Sequence, residues 1–172
     1  MDFENKEFES KTFDSLNLLD RTFQNSSFID CIFSNCNLSN ISLTNTKFQN
    51  CRFKSCKILG LNFSKCNQFI LSFNFEDCKI SICDFSNLNL KQIIFENCQI
   101  TECIFFKTNL TKSSFKESDL EKTSFDSCNL SFADFETARN YSINPLNNKL
   151  KETKFSIPEL IGLLDSFDIK IN

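Results

Sequence analysis

The chain has 172 residues, of which 22 are Phe and only two are Gly, and it contains neither Trp nor His. With 41% hydrophobic residues, it is long enough to form one sizeable core, and 24% charged residues argue against disorder. The lack of His excludes Ser-His-Asp and Cys-His nucleophiles and His-ligated metals. Two glycines leave no room for a phosphate-binding loop. We therefore expect a non-enzymatic protein with no metal and no cofactor.

The N-terminal stretch MDFENKEFES is acidic and has no apolar run, so we do not expect a signal peptide. No window approaches 18 consecutive apolar residues, so we expect no membrane span and no membrane partner. Ten cysteines would suit a disulfide framework, but without an export signal we expect free thiols in a reducing cytoplasm.

A five-residue period runs through residues 3–135. Every fifth residue from Phe3 to Phe63, and again from Phe75 to Phe135, is Phe, Leu or Ile, and sixteen of these 26 are Phe. A period of five fits neither a helix nor a straight strand. It predicts a chain that turns a corner in every pentad, with the repeated residue and the residue two before it pointing inward.

A second period, of 20, groups the pentads into coils of four. Every fourth pentad repeats Phe, which predicts one core ladder, and the next set is entirely Leu or Ile (Leu18, Leu38, Ile58, Ile80, Ile100, Leu120). Like residues therefore stack when four pentads make one turn of a solenoid. The predicted ladder contains Phe13, Phe33, Phe53, Phe75, Phe95, Phe115 and Phe135.

Pentads such as TNLTK, SDLEK, CNLSF and ADFET resemble the A(D/N)Lxx unit of pentapeptide-repeat proteins. The resemblance implies an all-β solenoid, the right-handed quadrilateral β-helix of that family. We expect this β-helix over residues 1–136, with a register shift of two residues at 64–74. That shift offers Phe69, Ile70, Leu71 and Phe73 as inward residues, and both a packed kink and a recognition loop stay open.

Residues 137–172 have no pentads and are predicted to cap the rod. Ser156, Pro158 and Glu159 suit the first turn of a short C-terminal α-helix, and residues 168–171 alternate as a terminal strand would. The helix either caps the rod or also forms a homodimer, as in quinolone-resistance members of the family. The candidate interface contains Leu160, Ile161, Leu163, Leu164 and Phe167.

Nine of the ten cysteines lie two residues before a repeated apolar residue, and Cys66 lies two residues before Gln68 in the register shift. C-x4-C pairs at 31/36, 51/56, 78/83 and 98/103 have four intervening residues, at the upper end of the spacing in zinc knuckles, but such sites normally include His or a second close pair in a loop, and the chain has no His. We therefore interpret the thiols as small inward residues of the core.

Charge alternates along the sequence, with net values of −4 for residues 1–30, +5 for 31–75, −5 for 76–136 and +1 for 137–172. Some pentapeptide-repeat proteins bind DNA gyrase or topoisomerase IV by resembling duplex DNA. The resemblance implies a type II topoisomerase as partner, although the basic 31–75 band argues against such mimicry. Five bases in that band and a pI of about 5.1 predict no direct nucleic-acid binding. Candidate partner-binding acids are Asp84, Glu96, Asp119, Glu121, Asp126, Asp134 and Glu136.

Two other functions stay open. One is a rigid scaffold or regulatory binding protein with no topoisomerase contact. The other is an enzyme that uses acid pairs such as Glu76/Asp77 or Asp119/Glu121 for acid–base chemistry. A convex rod offers no evident concave site, so catalysis is the weakest of the three.

Overall fold

A computed structural model describes residues 3–167 and 169 and confirms the predicted all-β solenoid. Fourteen short strands make up its turns, and all their pairings are parallel. The strands are β1 Glu7–Glu9, β2 Thr12–Asp14, β3 Ser27–Ile29, β4 Ile32–Ser34, β5 Lys47–Gln49, β6 Cys51–Lys54, β7 Lys57–Leu59, β8 Phe73–Glu76, β9 Lys79–Ser81, β10 Phe95–Glu96, β11 Gln99–Thr101, β12 Ile104–Phe106, β13 Ser124–Asp126 and β14 Ser142–Ile143.

Four faces, named here in chain order, run along the rod. Face one contains β12-β13-β14, face two β1-β3-β5, face three β10-β8-β6-β4-β2 and face four β11-β9-β7. Single parallel bridges extend the faces where regular strands are absent. The central inward residues start at Phe3 on face one, Phe8 on face two, Phe13 on face three and Leu18 on face four.

Stacked aromatic rings form the core of the rod. On face three, Phe95 lies between Phe75 and Phe115, with ring centroids 5.1 Å away on each side and nearly parallel planes. The stack runs from Phe13 to Phe135, and Phe155 of the capping segment adds a ring 5.6 Å beyond. Each ring is therefore buried against the rings above and below it, as in other solenoids, and also edge-to-face against rings of face one across the core, such as Phe85 and Phe105 for Phe95.

The residue two before each central residue is most often Cys, Ser or Thr, whose side chain commonly donates a hydrogen bond, although Leu or Ile takes this place at Leu16, Ile41, Leu61, Leu88 and Ile93. The Cys36 thiol donates to the Phe13 carbonyl (3.3 Å), and the Thr46 hydroxyl donates to the Phe23 carbonyl (2.8 Å). Cys51 and Cys128 make the same contact one turn back, to Phe28 and Phe105. This position therefore accepts Cys, Ser and Thr because each combines small volume with a donor.

The corners are formed by residues in the left-handed backbone region. Nearly every pentad has one, and Gly60 (φ 72°) is the only glycine in this set among the described residues. Asn and Asp are common there, because they tolerate this region better than other residues with a Cβ. Ile82 (φ 54°) and Phe132 (φ 62°) are unfavourable corner residues.

The register shift forms a loop on face two, where Gln68 occupies the place of a central apolar residue and is exposed. Of the four inward candidates, Phe73 is buried and contacts the rings of Phe48, Phe53, Phe63 and Phe75. Leu71 is half-buried, but Phe69 and Ile70 are 77% and 57% exposed. Phe73 thus fills the core space that Gln68 leaves, while the loop tip points outward.

The capping segment continues the rod for one irregular turn. Arg139, Lys149 and Lys154 make parallel bridges with the preceding turn. Tyr141 and Ile143 are buried and close the end of the core.

The expected C-terminal α-helix is absent from the described residues, which form two short 3-10 helices instead, Glu159–Leu163 and Asp165–Phe167. Gly162 lies so close to Tyr141 that an added Cβ would meet the Tyr141 carbonyl oxygen at 2.0 Å. Glu159 accepts a hydrogen bond from the Asn140 N–H (3.0 Å). These contacts favour a tight 3-10 segment over a free amphipathic helix. The predicted terminal strand at 168–171 lies outside the described residues, except for Ile169.

Candidate interaction surface

The seven candidate acids are distributed over three faces of the rod. Asp84 and Asp126 lie on face one, and Asp119 and Glu121 on face four. Glu96, Asp134 and Glu136 lie on face three. These carboxylates therefore lie on three sides of the rod and do not form one patch.

Several of the acids already have partners. Glu96 lies 3.7 Å from the Lys116 ammonium, Asp134 lies 3.8 Å from that of Lys154, and Glu121 lies 3.8 Å from that of Lys122. Asp119 is half-buried, and its carboxylate accepts from the Asn140 side chain (2.9 Å) and the Glu121 N–H (3.2 Å). Surface ion pairs of this kind are weak, so a strongly basic partner can compete for these carboxylates.

The distribution of charge by face differs from its distribution by sequence. Between residues 76 and 136, faces one, three and four together hold eleven acids and four bases, a net charge of −7. The face-two pentads in the same stretch hold two lysines and no acid. The acidic 76–136 band is therefore concentrated on face three, with a net charge of −5, and is only weakly acidic on faces one and four, with −1 each.

The basic 31–75 band does not form one patch. Lys47 lies on face two, Arg52 and Lys54 on face three, and Lys57 on face four. Lys54 forms an ion pair with Glu76 of the next turn (2.7 Å). The positive charge of this band, which argues against DNA mimicry, is therefore distributed around the rod.

The proposed acid–base pairs lie on the outer surface of the rod. Glu76 is paired with Lys54, and Asp119 is held by hydrogen bonds. Glu76 and Glu96 border a shallow depression of about 320 Å³ that is open to solvent and also lined by Arg52 and Asn74. This depression does not bring together two carboxylates with the opposed environments that acid–base chemistry uses.

All ten cysteines are buried and free. Burial raises the pKa of Cys66 and of Cys51 to about 12. For Cys56 and Cys78, the hydrogen bond with the thiol one turn back (Cys36 and Cys56) lowers the pKa, but the hydrogen bond with the thiol of the next turn (Cys78 and Cys98) and burial outweigh it and raise the pKa to about 12. Within residues 3–167 and 169, no group of three or more Cys, Asp or Glu has an arrangement that suits a metal ion.

The candidate dimer residues differ in exposure. Leu160, Ile161, Leu164 and Phe167 are exposed, whereas Leu163 is half-buried against the core of the rod. The 3-10 geometry leaves four apolar side chains in solvent at the C-terminal end. No helix in the described part of the chain is long and apolar enough to cross a membrane.

Sequence reasoning missed one surface feature. Exposed Phe69, Ile70, Phe132 and Leu146 all lie on or beside face two, where acids are scarce. Listing the outward residues of each face at 20-residue intervals would have shown this pattern, because charge summed along the sequence mixes all four faces.

Comparison with known proteins places the repeat in a family. A model described as "Pentapeptide repeat region" matches residues 26–105, and one described as "Pentapeptide repeats (8 copies)" matches residues 103–139. No curated protein matches the chain by sequence.

Two solved structures of QnrB1, described as a plasmid-mediated fluoroquinolone resistance protein, are similar in fold. Both are trypsin-treated variants, with TM-scores of 0.59 and 0.56 and sequence identities of 15% and 14%. Each comparison covers 99% of this chain, and 92% and 93% of the respective QnrB1 chain. At this identity the likeness concerns the fold. The repeat models, together with the stacked parallel turns, show that the chain belongs to the pentapeptide-repeat family.

Proposed function

We propose that the protein is a non-enzymatic interaction rod of the cytoplasm that binds the DNA-binding saddle of a type II topoisomerase, DNA gyrase or topoisomerase IV. The observation that carries the proposal is the net charge of −7 on faces one, three and four between residues 76 and 136. The similarity in fold to a fluoroquinolone resistance protein supports the choice of partner.

A saddle shaped for duplex DNA contacts a rod on more than one side, and carboxylates on three faces match that geometry. Complementary potentials accelerate encounter and orient the partners. Asp84, Asp126 and Glu136 form no salt bridge among the described residues, so their charge is available to a basic partner.

A supercoiling assay with purified gyrase, run with and without a quinolone, tests the proposal. We expect the protein to bind gyrase and change supercoiling, with an effect that weakens at higher salt because exposed charges are screened within about 10 Å at 0.1 M. Glu121→Lys/Asp126→Lys/Glu136→Lys should abolish the effect, since all three side chains are exposed.

Three reversals at the other end of the rod provide a matched control. Glu7, Glu9 and Asp20 are also exposed, and Glu7→Lys/Glu9→Lys/Asp20→Lys changes the net charge equally. This control should retain most of the effect. Equal losses in both triple variants would show that only net charge matters, and no complex at low salt would refute topoisomerase binding.

We also propose that the rod is a homodimer through its C-terminal end. Leu160, Ile161, Leu164 and Phe167 are apolar and exposed together in the 3-10 segments, and a second copy would cover them. Leu164→Glu should then convert a dimer to a monomer in sedimentation without loss of the β-sheet signal. A wild-type monomer at micromolar concentration would leave these residues with the capping role only.

The alternative function is a rigid scaffold or regulatory binding protein with no topoisomerase contact. The ion pairs of Glu96, Glu121 and Asp134 favour it, because they reduce the field that a DNA mimic needs. An unaffected topoisomerase at a large molar excess of the protein would support this alternative.

A further inference from the structure

Face two differs from the rest of the rod in charge. Its pentads between residues 46 and 152 hold five lysines and one acid, Glu152, which stands at a corner. We call this surface the basic face, with the lysines Lys47, Lys91, Lys112, Lys149 and Lys151. All five side chains are exposed.

These lysines have no ion-pair partner in the part of the chain that the structure describes. Lys54, Lys116, Lys122 and Lys154 on faces three and four lie within 4.0 Å of a carboxylate, whereas Lys57 and Lys79 of face four form no ion pair among the described residues. The positive charge of the basic face is therefore free to attract an anionic surface.

Exposed apolar side chains surround the same lysines. Phe69 and Ile70 project from the face-two loop, which borders a depression also lined by Lys91. At the other end, Leu146 is 78% exposed and lines a depression with Asn129 and Lys149. The Phe132 ring lies 5.6 Å from the Lys151 ammonium. The two ends are four turns apart, about 19 Å at the usual strand spacing.

Two of these residues are unfavourable in the folded protein on two grounds. Ile70 (φ 58°) and Phe132 (φ 62°) expose apolar surface and also adopt the left-handed region, which is unfavourable for β-branched or bulky residues. Such strain often coincides with functional positions. Asn would suit both corners better, as it does at Asn45 and Asn87.

The face itself is flat and polar between the lysines. Asn89, Asn109, Asn129 and Lys149 follow one another in parallel bridges, and the Asn109 side chain donates to that of Asn89 (2.8 Å). A flat array can present all its lysines to a plane at once, which a convex duplex would not allow. Projecting aliphatic residues such as Ile70 and Leu146 suit an apolar layer and would have no partner on a polyanion.

We propose that the basic face binds the surface of an anionic lipid bilayer, with the lysines at the headgroups and Phe69, Ile70 and Leu146 reaching the acyl boundary. Apolar insertion combined with attraction to anionic lipids is the general mode of peripheral binding. This proposal departs from the sequence-based expectation of no membrane partner. It leaves faces one, three and four open to a protein and does not depend on topoisomerase binding.

Co-sedimentation of the full chain with vesicles tests the proposal. We expect the protein to bind vesicles of phosphatidylcholine mixed with phosphatidylglycerol, and not vesicles of phosphatidylcholine alone. Because each lysine near such a surface changes the partition coefficient about fivefold, Lys91→Gln/Lys112→Gln should weaken binding on the order of 20-fold. The control Lys57→Gln/Lys79→Gln removes two exposed lysines from face four and should change binding much less.

A fluorescent reporter tests insertion separately. The chain has no Trp, so Phe69→Trp introduces a single probe at the loop tip, and Phe106→Trp on face one is the matched control. Anionic vesicles should shift the emission of the first probe to the blue and leave the second unchanged. Phe69→Ser/Ile70→Asn should weaken binding without unfolding, because both side chains are exposed and Asn tolerates the Ile70 backbone.

Four results would overturn the proposal. One is the absence of binding to anionic vesicles, and another is an equal loss in the face-four control. Binding to an oligonucleotide without binding to vesicles would assign the face to nucleic acid. Self-association in buffer that Lys91→Gln/Lys112→Gln abolishes would assign it to another copy of the chain.

Discussion

The buried thiols should make the protein unusually sensitive to alkaline pH. The pKa values of Cys51, Cys56, Cys66 and Cys78 are raised to about 12 in the folded protein. Burial is the main cause at Cys51 and Cys66, whereas at Cys56 and Cys78 one thiol–thiol hydrogen bond lowers the pKa and is outweighed by a second such bond together with burial. In the unfolded chain a thiol titrates near about 8.5. Above that pH the unfolded state releases protons that the folded state retains, so stability must fall as pH rises.

The magnitude follows from the number of thiols. Each retained proton lowers the free energy of unfolding by about 1.4 kcal/mol per pH unit above the unfolded pKa. Between about pH 7.5 and about pH 9.5, these four thiols together should reduce it by about 5 kcal/mol. This is a large fraction of the 5–15 kcal/mol typical of domains. Burial also raises the pKa values of Cys31 and Cys128, which adds to the effect.

Urea unfolding followed by circular dichroism at the two pH values, with a reductant present, measures the effect. Cys56→Ser/Cys78→Ser is the informative variant, because serine keeps a small donor at each position and does not ionise. Between the two pH values, the free energy of unfolding of this variant should fall by about 3 kcal/mol less than that of the wild type, whatever its stability at neutral pH. Equal stability of the wild type at both pH values would refute the assignment of neutral, buried thiols.

Two further predictions concern the core and the corners. Phe95→Ala removes a fully buried ring between Phe75 and Phe115 and should lower the free energy of unfolding, measured in urea, by about 3–5 kcal/mol. The control Lys91→Ala changes an exposed residue and should be nearly neutral. A loss below about 1 kcal/mol for Phe95→Ala would contradict the stacking. Ile82→Asn should raise the free energy of unfolding by about 1 kcal/mol, because Ile82 is 59% exposed at φ 54°, while Ile94→Asn, at an exposed position outside the left-handed region, should give no gain.

The fold could be predicted from the sequence because each turn repeats the same local requirement. A large apolar residue at every fifth position is necessary for the turn, and the residue two before it is mostly small or apolar, so both leave a period in the sequence. The stack of Phe33, Phe53, Phe75 and Phe95 is continuous across the register shift. This continuity follows from the 22-residue spacing of Phe53 and Phe75, where two extra residues are accommodated outside the core.

The structure of the shift could be predicted only in part: the five-residue period selects Phe73, two before Phe75, as an inward residue, but it does not show which of Phe69, Ile70 and Leu71 are exposed. Phe69, Ile70 and Phe73 are all apolar, and only Phe73 is followed by a central residue, Phe75, that extends a strand. The sequence also could not show whether the C-terminal segment is an α-helix or a 3-10 helix, since its apolar pattern suits several short conformations. Contact of Gly162 with Tyr141 decides between them, and that contact is not visible in a local pattern.

The solenoid separates the residues that specify the fold from those that contact other molecules. Inward positions are fixed by packing, whereas outward positions recur at 20-residue intervals in columns that can vary independently. One such column runs from neutral to basic, then to neutral, acidic and basic again on an unchanged backbone; its residues are Asn37, Lys57, Lys79, Gln99, Asp119 and Arg139. A negative surface on three faces and a basic one on the fourth can therefore coexist without conflict in the core. The effect of a surface substitution should consequently depend on the face on which the residue lies. Two substitutions close in sequence but on different faces should therefore affect the binding of different partners.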